Sequence, residues 1–103
     1  MNLSIKQRLL LPHIFSENKD SITEAAVQRD IRVKVMIEED EALHIALKQS
    51  ANGYHWDAQK GMAKEVEFTQ TELNYLKESI YTLSRAGGIT QDILSLVEKI
   101  ASI

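Results

Sequence analysis

The sequence lacks cysteine altogether and has only one proline and four glycines among its 103 residues. Without cysteine the chain forms no disulfide, offers no thiolate to a metal ion and carries no cysteine nucleophile. It also lacks an apolar run near the ~20 residues of a membrane-spanning helix. The leucine run at 9–11 is short and has no small-residue cleavage site, so we expect no signal peptide, no membrane association and a cytoplasmic location.

Basic residues are fewer than acidic ones, 12 against 15, which gives a formal net charge of −3. A protein dedicated to duplex DNA normally has a basic domain, because its contacts are made to phosphates. The charge therefore disfavours this class but leaves room for a local basic face. The 44% hydrophobic fraction is typical of a globular protein, and the length predicts a single domain over residues 1–103.

The segment 64–85 contains the best-specified helix start in the sequence. Residues 64–68 alternate charged and apolar side chains, which predicts a half-buried strand. Thr69 and Glu72 then form a Thr-x-x-Glu capping box, in which each side chain bonds the backbone amide of the other residue. Apolar residues follow at spacings of three and four, which predicts a helix with one buried face: Leu73, Leu76, Ile80 and Leu83.

Two more capping boxes, Ser-x-x-Gln at 4–7 and Ser-x-x-Glu at 21–24, predict two N-terminal helices. The first should end at Pro12 and the second near Val35, with a polar linker at 16–20 between them. Residues 31–37 alternate as a strand does, but no turn signal precedes them and we favour a helix there. The acidic run at 38–41 predicts the first turn of a short helix, where negative charge suits the helix dipole.

Asn52-Gly53 is a strong hairpin signal, since a type I′ turn needs positive φ at both central residues. Such a turn pairs Ala51 with Tyr54 and Ser50 with His55. Together with the 64–68 strand, the hairpin predicts a three-stranded antiparallel sheet. The register separates an apolar face from a polar one: Ile45, Leu47, Ala51, Tyr54 and Trp56 lie on the first, and Lys48, Ser50, His55 and Asp57 on the second.

The Ala86-Gly87-Gly88 segment predicts the end of the helix that follows Thr69, because glycine is the usual left-handed terminator. Thr90 is the next N-cap candidate, and an apolar stripe follows it at helical spacing: Ile93, Leu96, Val97 and Ile100. The predicted fold class is therefore α+β, with two N-terminal helices, a small three-stranded antiparallel sheet within 45–68, and two C-terminal helices.

Two sets of polar residues have a spacing that is found in catalytic or metal sites. Glu41-x-x-His44 matches half of a carboxylate-bridged metal site, but such a site needs a second copy and two further glutamates. Ser50, His55 and Asp57 share one face of the predicted hairpin, but an exposed ribbon provides neither an oxyanion hole nor a pocket. A hydrolase centred on His44 or His55 is therefore the least favoured alternative, and we expect no catalytic residue, no cofactor and no metal.

Candidate interaction residues come from the cations and aromatic residues of the first 56 positions. On helices, the basic residues of the N-terminal half are expected on outer faces: Lys6, Arg8, Arg29, Arg32 and Lys34. Tyr54 and Trp56 have rings that could stack on bases, but their predicted face is the apolar one, which favours packing in the core. The predicted interaction residues are Lys6, Arg8, Arg29, Arg32, Tyr54 and Trp56.

Three blocks in chain order resemble the largely uncharacterised small proteins encoded by tailed bacteriophages and prophages. They are Leu-Ser-Ile-Lys-x-Arg-Leu at 3–9, Trp-Asp at 56–57, and Glu-x-x-Phe-Thr-x-x-Glu-x-x-x-Leu-Lys at 65–77. All three are capping or packing motifs, so the resemblance implies an origin and a size class and transfers no catalytic residue. It also implies that the cytoplasm in question is that of a host cell.

The function that we expect is that of a small, non-enzymatic, protein-binding accessory protein that self-associates and occupies a surface of a host or phage protein. The alternative is a nucleic-acid-binding regulator that uses the basic residues of the N-terminal helices. Counterion release makes the binding of such a regulator fall steeply with salt, which separates the two hypotheses.

Overall fold

The structure is a computed structural model that describes residues 1–15 and 21–103, so the predicted linker at 16–20 lies outside the described residues. The described residues form five α-helices, one 3-10 helix and four strands. In chain order they are β1 (Asn2–Leu3), α1 (Ile5–Leu10), a 3-10 helix (Leu11–Ile14), α2 (Ile22–Val35), α3 (Glu39–His44), β2 (Lys48–Ser50), β3 (Gly53–His55), β4 (Lys64–Glu65), α4 (Gln70–Arg85) and α5 (Gln91–Ala101).

The strands form two separate two-stranded antiparallel sheets, β1 with β4 and β2 with β3. The mixture of helices and strands confirms the α+β class, but the predicted three-stranded sheet is wrong. The reason lies at the start of the chain, where Asn2 pairs with Glu65 and Leu3 with Lys64. The Met1 amino group also donates to the Glu65 carboxylate at 2.7 Å, so the edge of β4 is occupied by the first residues and not by the hairpin.

The hairpin of β2 and β3 has a different register from the predicted one. Gln49 pairs with Tyr54 and Ser50 with Gly53, so the tight turn is at 51–52. Gly53 has a φ of +104°, but Asn52 does not adopt a positive φ, and a type I′ turn would need both. All six strand residues of the hairpin are exposed, so the predicted apolar face packs against the core only where the two strands end.

The helices α1, α2 and α4 begin where their capping motifs predict. The boxes at 4–7 and 69–72 are complete, with both side chains bonded to the partner amides. At the start of α2 the Ser21 hydroxyl accepts from the Glu24 amide at 3.0 Å. Because α2 continues through Val35, the helical interpretation of 31–35 is confirmed and the strand alternative is wrong.

The α4 helix ends in a Schellman motif, as the glycine pair predicts. Gly87 has a φ of +70°, its amide donates to the Ser84 carbonyl at 3.1 Å, and the Gly88 amide donates to the Leu83 carbonyl at 2.9 Å. The chain then turns, and Thr90 is the N-cap residue of α5.

The hydrophobic core is built around α4, which packs against α2, α5 and the 3-10 helix. Val66, just before α4, is 4% exposed, and the four residues predicted as the buried stripe of α5 are all buried. Phe68 packs against this core while partly buried. The core residues are Leu3, Leu11, Ile14, Ile31, Val35, Val66, Tyr75, Leu76, Ile80, Ile93, Leu96, Val97 and Ile100.

Candidate interaction surface

Arg8 does not lie on an outer helix face, contrary to the prediction. Its side chain is completely buried, and its Nε donates to the Val35 carbonyl at 3.1 Å. Nη2 donates to the Met36 carbonyl at 2.9 Å, and both terminal nitrogens bind the Glu41 carboxylate, at 2.6 and 2.9 Å. Arg8 therefore caps the C-terminal end of α2 and ties it to α3, and it is not available to a partner.

The contact with Arg8 changes the pKa of Glu41. The hydrogen bond from Arg8, together with the positive charge of the guanidinium, holds the pKa of Glu41 below its usual value near 4.5, although partial burial acts in the opposite direction. The carboxylate is therefore ionised at neutral pH. At neutral pH Arg8 and Glu41 form a charged clamp that holds the connection between α2 and α3.

The clamp fixes one end of an exposed stripe on α2. Arg29, Arg32, Val33 and Met36 recur at spacings of three and four, so they share one side of the helix. We call these four residues the α2 outer stripe. Val33 is 63% exposed and Met36 53% exposed, while Ile31 and other residues on the opposite side of α2 are buried in the core. The helix thus has a second apolar surface that the described part of the chain does not cover.

A groove of about 490 Å³ runs between the α2 outer stripe and the hairpin. We call it the α2–hairpin groove. Apart from the outer stripe, its walls are mainly apolar, with Leu9 and Pro12 from the N-terminal helices and Leu47 and Tyr54 from the hairpin side. Tyr54 is 42% exposed, so its ring is open to a ligand and does not belong to the core as predicted.

A second groove, of about 460 Å³, adjoins the first and shares Leu9 and Tyr54 with it. Lys6, Trp56 and Asp92 are among its other lining residues, and the Lys6 ammonium lies 3.4 Å from the Asp92 carboxylate. The structure thus places the predicted interaction residues along two adjoining grooves, although Arg8, which also lines the first groove, is buried and bound to Glu41.

Trp56 is held in place at the edge of this second groove. A Cβ atom at Gly61 would lie 3.2 Å from Trp56 Cδ1 and 3.2 Å from Ile5 Cγ1. The backbone of Gly61 therefore packs closely on the indole ring and on α1. Trp56 is half-buried as a result, and only part of its ring is open to solvent.

The remaining cations of the predicted basic cluster have different surroundings. The Arg32 guanidinium lies 5.1 Å from the centre of the Phe15 ring, and Arg29 forms an exposed ion pair with Asp30 at 3.2 Å. Lys34 points the other way and binds Glu72, the same carboxylate that closes the capping box of α4. Lys34 thus links α2 to α4 and is not part of the exposed basic surface.

The residues considered for catalysis do not form a triad, because Asp57 is not bonded to the pair formed by Ser50 and His55. On the exposed hairpin, His55 Nε2 lies 3.2 Å from Ser50 Oγ, while the Asp57 carboxylate accepts from the Gln59 amide at 2.9 Å. Glu41 is held by Arg8, and His44 is exposed. Among residues 1–15 and 21–103, no three His, Asp or Glu side chains are grouped as metal ligands would be.

Two groove residues were not singled out by sequence reasoning. Val33 and Met36 were assigned to the alternating pattern of 31–37, in which Val33 belongs to the apolar set. The same residues also lie at helical spacing from Arg29, which competes with the strand pattern. Because α2 continues to Val35, the helical spacing is the one that applies.

Comparison with protein-family models, with curated proteins and with solved structures finds no match for the chain. In the described ranges, no helix has the length and apolar character needed to cross a membrane.

Proposed function

We propose that this chain is a non-enzymatic protein-binding protein that contacts its partner through the α2 outer stripe and the α2–hairpin groove. The main observation in favour is the exposure of Val33 and Met36 beside an open apolar groove. Apolar side chains that are exposed next to one another, with polar residues at the rim, are typical of a protein-binding surface. The resemblance to small phage and prophage proteins suggests an accessory role in that setting.

The chemistry of the groove favours a protein segment over a nucleic acid. Phosphate contacts need several available cations, but Arg8 is engaged by Glu41 and Lys34 by Glu72. The groove walls are mostly aliphatic, with a single aromatic ring at Tyr54. The expected partner segment has apolar side chains for the groove and acidic residues for the two arginines of the outer stripe.

Site-specific photo-crosslinking in the expressing cell tests this function. We would replace Val33 with the photo-crosslinking residue p-benzoylphenylalanine and place the same residue at Tyr81 of α4 in a control protein. The two positions match in exposure, at 63% and 64%. We expect position 33 to crosslink to a protein that mass spectrometry identifies, position 81 to give no such product, and Met36→Glu to suppress the product.

Two other outcomes would contradict the proposal. Crosslinking to nucleic acid from position 33, with salt-dependent retention on heparin, would instead support the nucleic-acid regulator. Equal crosslinking from both positions, or none from either, would mean that the α2 outer stripe is ordinary solvated surface.

A further inference from the structure

The α2 outer stripe is followed directly by a run of acidic residues. Met36 and Ile37 line the α2–hairpin groove, and Glu38 and Glu39 come next in the chain, both exposed at the start of α3. Consecutive Cα atoms are about 3.8 Å apart, so this acidic turn adjoins the groove. The surface therefore has Arg29 and Arg32 before Met36, with Asp30 paired to Arg29, and a run of carboxylates after Met36.

Within residues 1–15 and 21–103, Arg8 forms an ion pair with the acidic turn and Lys64 acts on Glu41, and the turn still has an excess of negative charge. Of the four consecutive acids at 38–41, Glu41 is paired with Arg8 inside the clamp. Glu38 and Glu39 are left exposed next to one another, with Asp40 beside them. Leu43, one turn beyond Glu39 in α3, is 75% exposed. A surface with an excess of one charge attracts groups of the opposite charge.

We propose that the partner surface is a second copy of this chain, paired by two-fold symmetry around Met36. This inference rests on the proposed function and names its partner. A patch with opposite charges on either side of an apolar centre is complementary to itself under a two-fold rotation. Such a rotation brings Arg29 and Arg32 of each copy to the acidic turn of the other and stacks the Val33 and Met36 side chains between them.

The clamp of Arg8 and Glu41 is what makes this arrangement possible. By binding the Val35 and Met36 carbonyls and the first turn of α3 together, Arg8 fixes the angle between the basic and the acidic halves of the patch. Both halves are therefore positioned before association, and less conformational entropy is lost when the two copies meet.

Two charge-reversed variants test the pairing. The first combines Arg29→Glu with Arg32→Glu, which makes the whole patch acidic, and the second combines Glu38→Lys with Glu39→Lys, which makes it basic. All four residues are exposed, so circular dichroism should show that both variants fold. Asp40 and Glu41 are left unchanged, because Asp40 accepts from the Glu41 amide and Glu41 binds Arg8.

Sedimentation equilibrium of the full chain should show a monomer–dimer equilibrium that weakens with salt. We expect each variant alone to dimerise on the order of tenfold more weakly than the wild type. An equimolar mixture should form a heterodimer. The glutamates of the acidic variant then face the new lysines of the basic variant at one contact and its arginines at the other. If these residues had only a structural role, mixing the two variants would not restore the association that each variant has lost.

A wild type that is still monomeric at about 1 mM would overturn the pairing. So would variants that dimerise as the wild type does, or a mixture that stays monomeric. A protein crosslink from position 33 to a different chain, combined with a monomeric wild type, would refute self-pairing and leave the proposed function standing. The absence of any protein crosslink from position 33, to a second copy or to a different chain, would refute the proposed function itself.

Discussion

Arg8 and Glu41 lie 33 positions apart in the chain and form a two-point ion pair, with nitrogen–oxygen distances of 2.6 and 2.9 Å. The same guanidinium binds the last carbonyls of α2. One buried side chain therefore determines how α2 leads into α3. Since Met36 and the acidic turn lie at this junction, the clamp supports the proposed interaction surface without touching a partner.

Arg8→Lys should lower the free energy of unfolding by about 2 kcal/mol, because lysine cannot reproduce the planar fork that binds both carboxylate oxygens and two carbonyls. Urea denaturation followed by circular dichroism measures this change. Arg29→Lys is the control, since Arg29 is exposed and its replacement should change stability by less than about 0.5 kcal/mol. Equal stability of the Arg8→Lys variant and the wild type would show that the fork is dispensable.

Glu41 should make stability depend on acidic pH. Its pKa is lower in the folded chain than in the unfolded chain, so its contribution is fully present above the usual value near 4.5 and is lost as pH falls through the lowered pKa. Glu41→Gln removes this contribution. It also leaves Arg8 unpaired, which lowers the free energy of unfolding by an amount that does not depend on pH. The stability difference between the wild type and Glu41→Gln should therefore be largest at neutral pH and shrink below about pH 4.5.

Denaturation curves of both proteins at a series of pH values measure this difference. A gap of the same size at pH 3 and pH 7 would mean that the Glu41 carboxylate does not titrate differently in the folded and unfolded chains.

Gly61→Ala should disturb the packing of the single tryptophan. The added methyl group would lie 3.2 Å from both Trp56 and Ile5, closer than ordinary contact, so the ring or α1 must shift. Overpacking of this kind costs about 1 to 3 kcal/mol. Trp56 fluorescence should change together with stability, whereas Met62→Ala, at an exposed neighbouring position, should leave the emission unchanged. An unchanged spectrum for Gly61→Ala would show that the close contact is absent in solution.

The features that sequence reasoning predicted correctly are local ones. A capping box joins residues three positions apart, and the buried stripe of α5 repeats within one helix, so both can be recognised in a short window. The pairing of Asn2 with Glu65 and the clamp of Arg8 to Glu41 join distant parts of the chain. No periodicity within a segment reveals such partners, which is why β1 was missed and Arg8 was expected on the surface.

The hairpin and the candidate site could be predicted only in part from the sequence. Asn52-Gly53 correctly predicts a tight turn, but the register depends on the φ of one residue, and Asn52 does not adopt the positive value. Tyr54 was expected to pack in the core because it lies on the apolar face. The hairpin extends beyond the core and leaves the ring to line both grooves.

The most direct measurement follows the three methionine methyl groups by NMR in isotope-labelled protein as the protein concentration is raised. Met36 lies at the centre of the proposed interface, and Met62, 77% exposed, is an internal control. If the α2 outer stripe pairs two copies, the Met36 signal should shift or broaden with concentration while the Met62 signal stays unchanged. A Met36 signal that does not respond, or a response at Met62 in its place, would contradict this interface.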